Sequence, residues 1–135
     1  MPNVKSAKFE GTSVTVNTDA SPYTTLITLN LEDAASGSLL NFEIDNTGGT
    51  TVNHFMVLLQ DHPSGEWYSY LSDTDFDATN NSNMRYASPT GPHEVVGGTK
   101  AHASIVINAA SGARLSASVA AGTTTIVARG NFRSA

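Results

Sequence analysis

The sequence predicts an all-β fold: a single antiparallel β-sandwich, immunoglobulin-like or jelly-roll-like, of about eight or nine strands. Three observations carry that prediction. Apolar and polar residues alternate with period two in one segment after another, and a 3.6-residue period is nowhere sustained. Turn signals built from Gly, Asn, Ser and Pro recur at roughly the 8–12-residue spacing of short-stranded sandwiches. Thr, Ser, Asn, Ala and Gly dominate the composition, while the helix formers Lys, Glu, Gln, Arg and Met are scarce. The 135 residues suit one domain, and no repeat or linker divides 1–135.

Residues 1–12 show no strong apolar pattern and read as an N-terminal arm. Val14 and Val16 then alternate with polar neighbours in a short strand, 13–17. Over 23–32, Ile27, Leu29 and Leu31 share one face and Thr28, Asn30 and Glu32 the other. Ala35-Ser36-Gly37 is a turn, after which Leu40, Phe42 and Ile44 point inward. Asn46-Thr47-Gly48-Gly49-Thr50 carries a hairpin signal, because Asn and Gly reach positive φ cheaply. Residues 52–60 are apolar on both sides, which suits a central strand covered on both faces.

His62-Pro63-Ser64-Gly65 turns the chain into a strand over 66–71, where alternation puts Tyr68 and Tyr70 opposite Trp67 and Leu71. Residues 72–92 lose the pattern in a long polar loop, and loops beyond about 12–15 residues are usually functional or flexible. Strands resume at 93–96 and at 101–109, with Ala103, Ile105 and Ile107 inward. Ser111-Gly112 reads as a turn into 113–120, where Leu115, Ala117 and Val119 face the core. Ala121-Gly122 leads to a last strand, 123–129, followed by Phe132.

Within 40–60, the run Phe42-Glu43-Ile44-Asp45-Asn46-Thr47-Gly48 resembles the F-x-I-x-N-T-G run of bacterial and phage immunoglobulin-like domains. The antibody-type cysteine pair is not matched, since the chain has no Cys, and Trp67 follows the central strand instead of preceding it.

Composition also excludes function classes. Charged residues make up 14% and the net charge is −5, which argues against the basic surface of a nucleic-acid binder. Without Cys there is no disulfide framework, thiolate metal site or cysteine nucleophile. The N-terminus lacks the apolar run of a secretory signal, and no stretch approaches the roughly 18 apolar residues of a membrane span. A soluble protein made in the cytoplasm, with no membrane partner, is expected.

Candidate chemistry is sparse. Asp73, Asp75 and Asp77 are the best metal candidates, since alternating carboxylates can converge on Ca²⁺. The calcium-loop pattern then fails, with Ala78 at its glycine position and Met84 at its glutamate position, and a solvated acidic turn is the simpler reading. His54, His62, His93 and His102 show no metal spacing, although His54 and His102 lie in strands and could be neighbours. No nucleophile elbow or phosphate-cradling loop is present, so no catalytic residue and no cofactor is assigned, and a non-enzyme is expected. Trp67, Tyr68 and Tyr70 form the one aromatic cluster and are the candidates for an interface or a stacked sugar.

Charge is unevenly placed along the chain. Residues 1–77 hold two lysines against eleven acids, and 78–135 hold five basic residues against Glu94, so −9 and +4 make up the −5. If that polarity survives folding it supplies complementary patches for association. Small uncharged side chains also bury between subunits at little entropic or desolvation cost.

In size, composition and fold signal the chain is similar to small virion proteins of tailed bacteriophages, above all capsid decoration (cement) proteins. That resemblance implies a non-enzymatic structural protein, a homo-oligomer located in the virion and assembled in the host cytoplasm. Its partners would be the major capsid protein or other virion subunits. The alternatives are a carbohydrate-binding β-sandwich module and a tail or receptor-binding accessory protein.

Overall fold

The computed structural model describes residues 6–17, 23–72, 75–76, 83–91 and 94–135. Among these residues ten strands run in chain order: β1 (Ser6–Glu10), β2 (Val14–Asn17), β3 (Thr24–Ala34), β4 (Leu39–Gly49), β5 (Val52–Gln60), β6 (Trp67–Ser72), β7 (Met84–Ala87), β8 (Lys100–Val106), β9 (Ala110–Val119) and β10 (Thr123–Arg133). They form two antiparallel sheets. Sheet A has the order β1-β10-β4-β8-β7, with β2 also on β10, and sheet B has the order β3-β9-β5-β6.

The pairings describe one long hairpin rolled up. The chain's beginning, β1 and β2, lies end to end along β10, with Ser6 opposite Arg133 and Asn17 opposite Thr123. Further in, β3 pairs β9, β4 pairs β8 and β5 pairs β6. Rolling then adds the β4–β10 and β5–β9 ladders. This is the jelly-roll arrangement, so of the two sandwich types expected it is this one.

Alternation sets the core as expected on most strands. Ile27, Leu29 and Leu31, Leu40, Phe42 and Ile44, Phe55, Val57 and Leu59, and Leu115, Ala117 and Val119 are all buried. The outer side of β5 is different from expectation: Met56 and Leu58 are only half-buried, because no layer of the described residues covers that face of sheet B.

Four expectations are corrected. Residues 46–50 form no hairpin, because β4 and β5 belong to different sheets and the segment is a corner between them. The residues that suit a tight turn serve the corner equally: Gly49 takes φ 105°, and a Cβ there would stand 2.6 Å from Thr123 O. Ser111-Gly112 lies inside β9 and is no turn. Residues 6–10 are a paired edge strand, legible only weakly because Phe9 alone supplies apolar packing. The 93–96 strand shrinks to the single bridge Val52–Val95.

The long segment after β6 is partly interior. It contributes β7, whose Met84 and Tyr86 are buried, and Phe76, which is fully buried. Phe76 stacks on Phe55 at 4.9 Å and meets Tyr86 edge-on at 5.5 Å, a geometry favoured by ring quadrupoles. The Tyr86 hydroxyl donates to Glu94 O at 2.9 Å, and burial pushes its pKa up to about 12. Phe76 and Tyr86, two rings spaced apart in a polar stretch, have no periodicity, which is why the sequence pattern misses them.

Candidate functional site

The two outer sheet faces are the broad surfaces of the described residues. On sheet A, register places Lys8, Asn131, Asn41, Ser104 and Arg85 in one row across five strands. The next row holds Glu10, Arg129, Glu43, His102 and Ala87. Arg129 Nη1 lies 3.1 Å from Glu43 Oε1, and Lys100 Nζ lies 4.0 Å from the same oxygen. In the first row Asn41 Nδ2 donates to Asn131 Oδ1 at 2.9 Å, and Ser104 Oγ donates to Asn41 Oδ1 at 2.6 Å. A shallow groove of about 440 Å³ runs over these residues.

The charge asymmetry of the chain does not survive on this face. Sheet A interleaves β1 and β4 from the acidic half with β10 and β8 from the basic half, so acids and basic side chains alternate along the Glu10–Arg129–Glu43–His102 row. Rolling a hairpin makes sequence-distant halves into neighbours, and that neutralises the polarity locally.

Sheet B is unlike it. Trp67 lies across Gly112 on the outer face, its Cη2 2.9 Å from where a Cβ on Gly112 would stand. The Arg114 guanidinium sits 4.1 Å from the indole centroid, and its Nε donates to Thr28 Oγ1 at 3.2 Å. A smaller cleft of about 240 Å³ opens beside the ring, lined by Thr28, Asn30, Gln60, Pro63 and Ser111 among others. Ser116 and Ser118 are buried in the same face, where larger side chains flank them.

Tyr68 and Tyr70 lie close to one another on β6, Tyr68 the more exposed of the two. A bulge in the β5–β6 ladder sets Ser69 opposite Leu58 and Leu71 opposite Val57, leaving Tyr70 as the extra residue. The Tyr70 hydroxyl donates to Val106 O at 2.7 Å, tying the edge of sheet B to sheet A. Burial raises its pKa, and burial together with nearby Asp61 raises that of Tyr68. Trp67 is placed apart from both, over β9.

Of the aspartates considered for Ca²⁺, Asp73 and Asp77 lie outside the described residues. Asp75 Oδ2 accepts the Ser72 N–H at 2.9 Å, the local backbone bond of a polar turn. Among the described residues no three His, Cys, Asp or Glu side chains are grouped for a metal. His54 and His102 are not neighbours: His54 is in sheet B beside Tyr23, and His102 is in sheet A. His62 is held in its turn, where Nδ1 accepts from Ser64 N at 3.2 Å, and His93 lies outside the described residues.

Asn46 is the structural residue that sequence reading passed over. It is fully buried; its Nδ2 donates to Thr50 O at 2.9 Å and Val95 O at 2.8 Å, and its Oδ1 accepts from Thr124 Oγ1 at 2.5 Å. The signal was available. Asn46 continues the inward parity of Leu40, Phe42 and Ile44, so an amide stands where the pattern calls for an apolar side chain.

Fold and faces together define a jelly-roll β-sandwich with a polar, self-paired face and an aromatic one. The solved SPBc2 prophage-derived protein YomS is similar to it in fold, with a TM-score of 0.53 at 10% identity, over 99% of this chain and 97% of that one. The structure of infectious bursal disease virus Gx strain matches with a TM-score of 0.34 at 9% identity, over 98% of this chain and 42% of that one. The VP2 subviral particle of the same virus matches with a TM-score of 0.31 at 11% identity, over 98% and 41%. No family model and no curated protein sequence matches the chain.

Proposed function

We propose that this protein is a non-enzymatic structural component of a bacteriophage virion, and specifically a capsid decoration protein that stabilises the shell through subunit contacts. The observation that carries the reading is the end-to-end fold likeness to a prophage-derived protein, which spans nearly all of both chains. The surface supports it. Two grooves among the described residues lie on outer sheet faces, and the outer face of sheet B carries Trp67 and Met56, side chains of the kind that bury between subunits. No helix of the described residues is long and apolar enough to cross a membrane. Coexpression with the major capsid protein of the phage or prophage that carries the gene tests the idea. The chain should sediment with assembled shells at fixed stoichiometry and raise their temperature of disruption. A chain that stays in the soluble fraction while shells form normally removes the decoration role, and recovery with tails alone would assign it to the tail.

A further inference from the structure

We infer that the outer face of sheet A is a docking surface for the same face of a second copy, related by a two-fold axis running along the β4–β10 seam. The argument is the order of side chains across the sheet. Reading the strands as β1, β10, β4, β8, a dyad between β10 and β4 exchanges β10 with β4 and β1 with β8. In the row Glu10, Arg129, Glu43, His102, that exchange sets Arg129 against the partner copy's Glu43 and Glu10 against its His102. In the row Lys8, Asn131, Asn41, Ser104, it sets Asn131 against Asn41 and Lys8 against Ser104. Every contact occurs twice, and in these two rows no like charges are opposed, which is what an isologous interface requires.

The strand order and the seat of the axis produce this together: an axis running along β10 instead would set Arg129 against its own copy. Glu43 already lies between Arg129 and Lys100 within one chain, so a second guanidinium from above completes a four-membered network of two acids and two arginines. Stacked sheets approach to about 10 Å, a gap that Arg and Glu side chains span. The amide pair Asn41–Asn131 lies beside that network and, with at least one donor and one acceptor each beyond their mutual bond, matches its own dyad mate. The groove of about 440 Å³ over these rows gives the second copy's side chains room. The inference does not rest on the virion reading: a dimer that ignores capsids would uphold this one and sink the other.

The test is a pair of charge reversals, read by sedimentation velocity and native mass spectrometry. The wild-type chain should dimerise in low salt and dissociate as salt rises. Arg129→Glu alone and Glu43→Arg alone each oppose like charges to themselves and should weaken dimerisation at least tenfold. Mixed in equal amounts, the two variants oppose unlike charges at both contacts, so a dimer with one copy of each should return. A wild-type chain that stays monomeric, variants that dimerise like the wild type, or a mixture that stays monomeric would each overturn the proposal. Recovery in the mixture also shows that neither variant lost affinity by unfolding.

Discussion

On the outer face of sheet A, alternate residues of neighbouring strands are charged or carry amides, and Glu43 pairs with Arg129 and Lys100 on strands from the other half of the chain. On the outer face of sheet B the equivalent positions hold Trp67, Leu58, Met56, Ser116 and Ser118, with Arg114 the cation described there. Both faces rest on the same interior. The pleat fixes only which residues point outward, and the strand order decides what those residues meet. Composition cannot distinguish the two faces, because the pairing that sorts them is long-range.

The layer between the faces gives the largest expected effect. Tyr86 has its phenol favoured in the folded state, so the stability it contributes is fully present below about pH 10. That stability is lost as pH rises toward about 12. Two pH units correspond to roughly 2–3 kcal/mol. Alkaline unfolding measured by urea titration should steepen over that window in the wild type, and Tyr86→Phe should lack that component. Equal slopes would place the phenol in water.

The aromatic face should respond nearly as strongly to added volume. Gly112→Val pushes a branched side chain into Trp67, Gln60 and the Leu29 carbonyl, all within 3.4 Å of the new Cβ. Overpacking of this kind costs about 1–3 kcal/mol. The melting temperature should fall by several degrees, with a red shift in tryptophan emission as the indole is displaced. The polar face should respond least. Glu43→Gln removes both ion pairs, yet the side chains of Arg129 and Lys100 are 48% and 55% exposed, so solvent screens them. A monomer should lose no more than about 0.5–1 kcal/mol, and nothing in high salt. A larger loss would mean that sheet A depends on its charges, and the contrast between the faces would disappear.

The legible part of this protein was what period two controls. Inward residues on β3, β4, β5, β8 and β9 follow from alternation, since a one-residue slip would expose an entire face. The corners were not legible, because Asn46-Thr47-Gly48-Gly49 has the same backbone freedom in a hairpin and in a crossover between sheets. Trp67 was singled out as aromatic but not placed, since its seat is Gly112 on a strand that sequence spacing does not bring to β6. The charge pairing was hidden for the same reason. Runs of acids and bases far apart in sequence became one ladder only when the hairpin rolled.

That rolled hairpin also sets the timing of folding. Because β10 lies between β4 and the β1–β2 edge, sheet A stays split until nearly the last described residues have been synthesised. A nascent chain therefore leaves the ribosome with the flank of β4 unpaired and β1 and β2 without their partner. Such non-local topologies fold in milliseconds to seconds, with exposed strand edges meanwhile able to pair with other chains. The edges that the finished molecule hides are thus the ones most exposed to chaperones and to aggregation during its production.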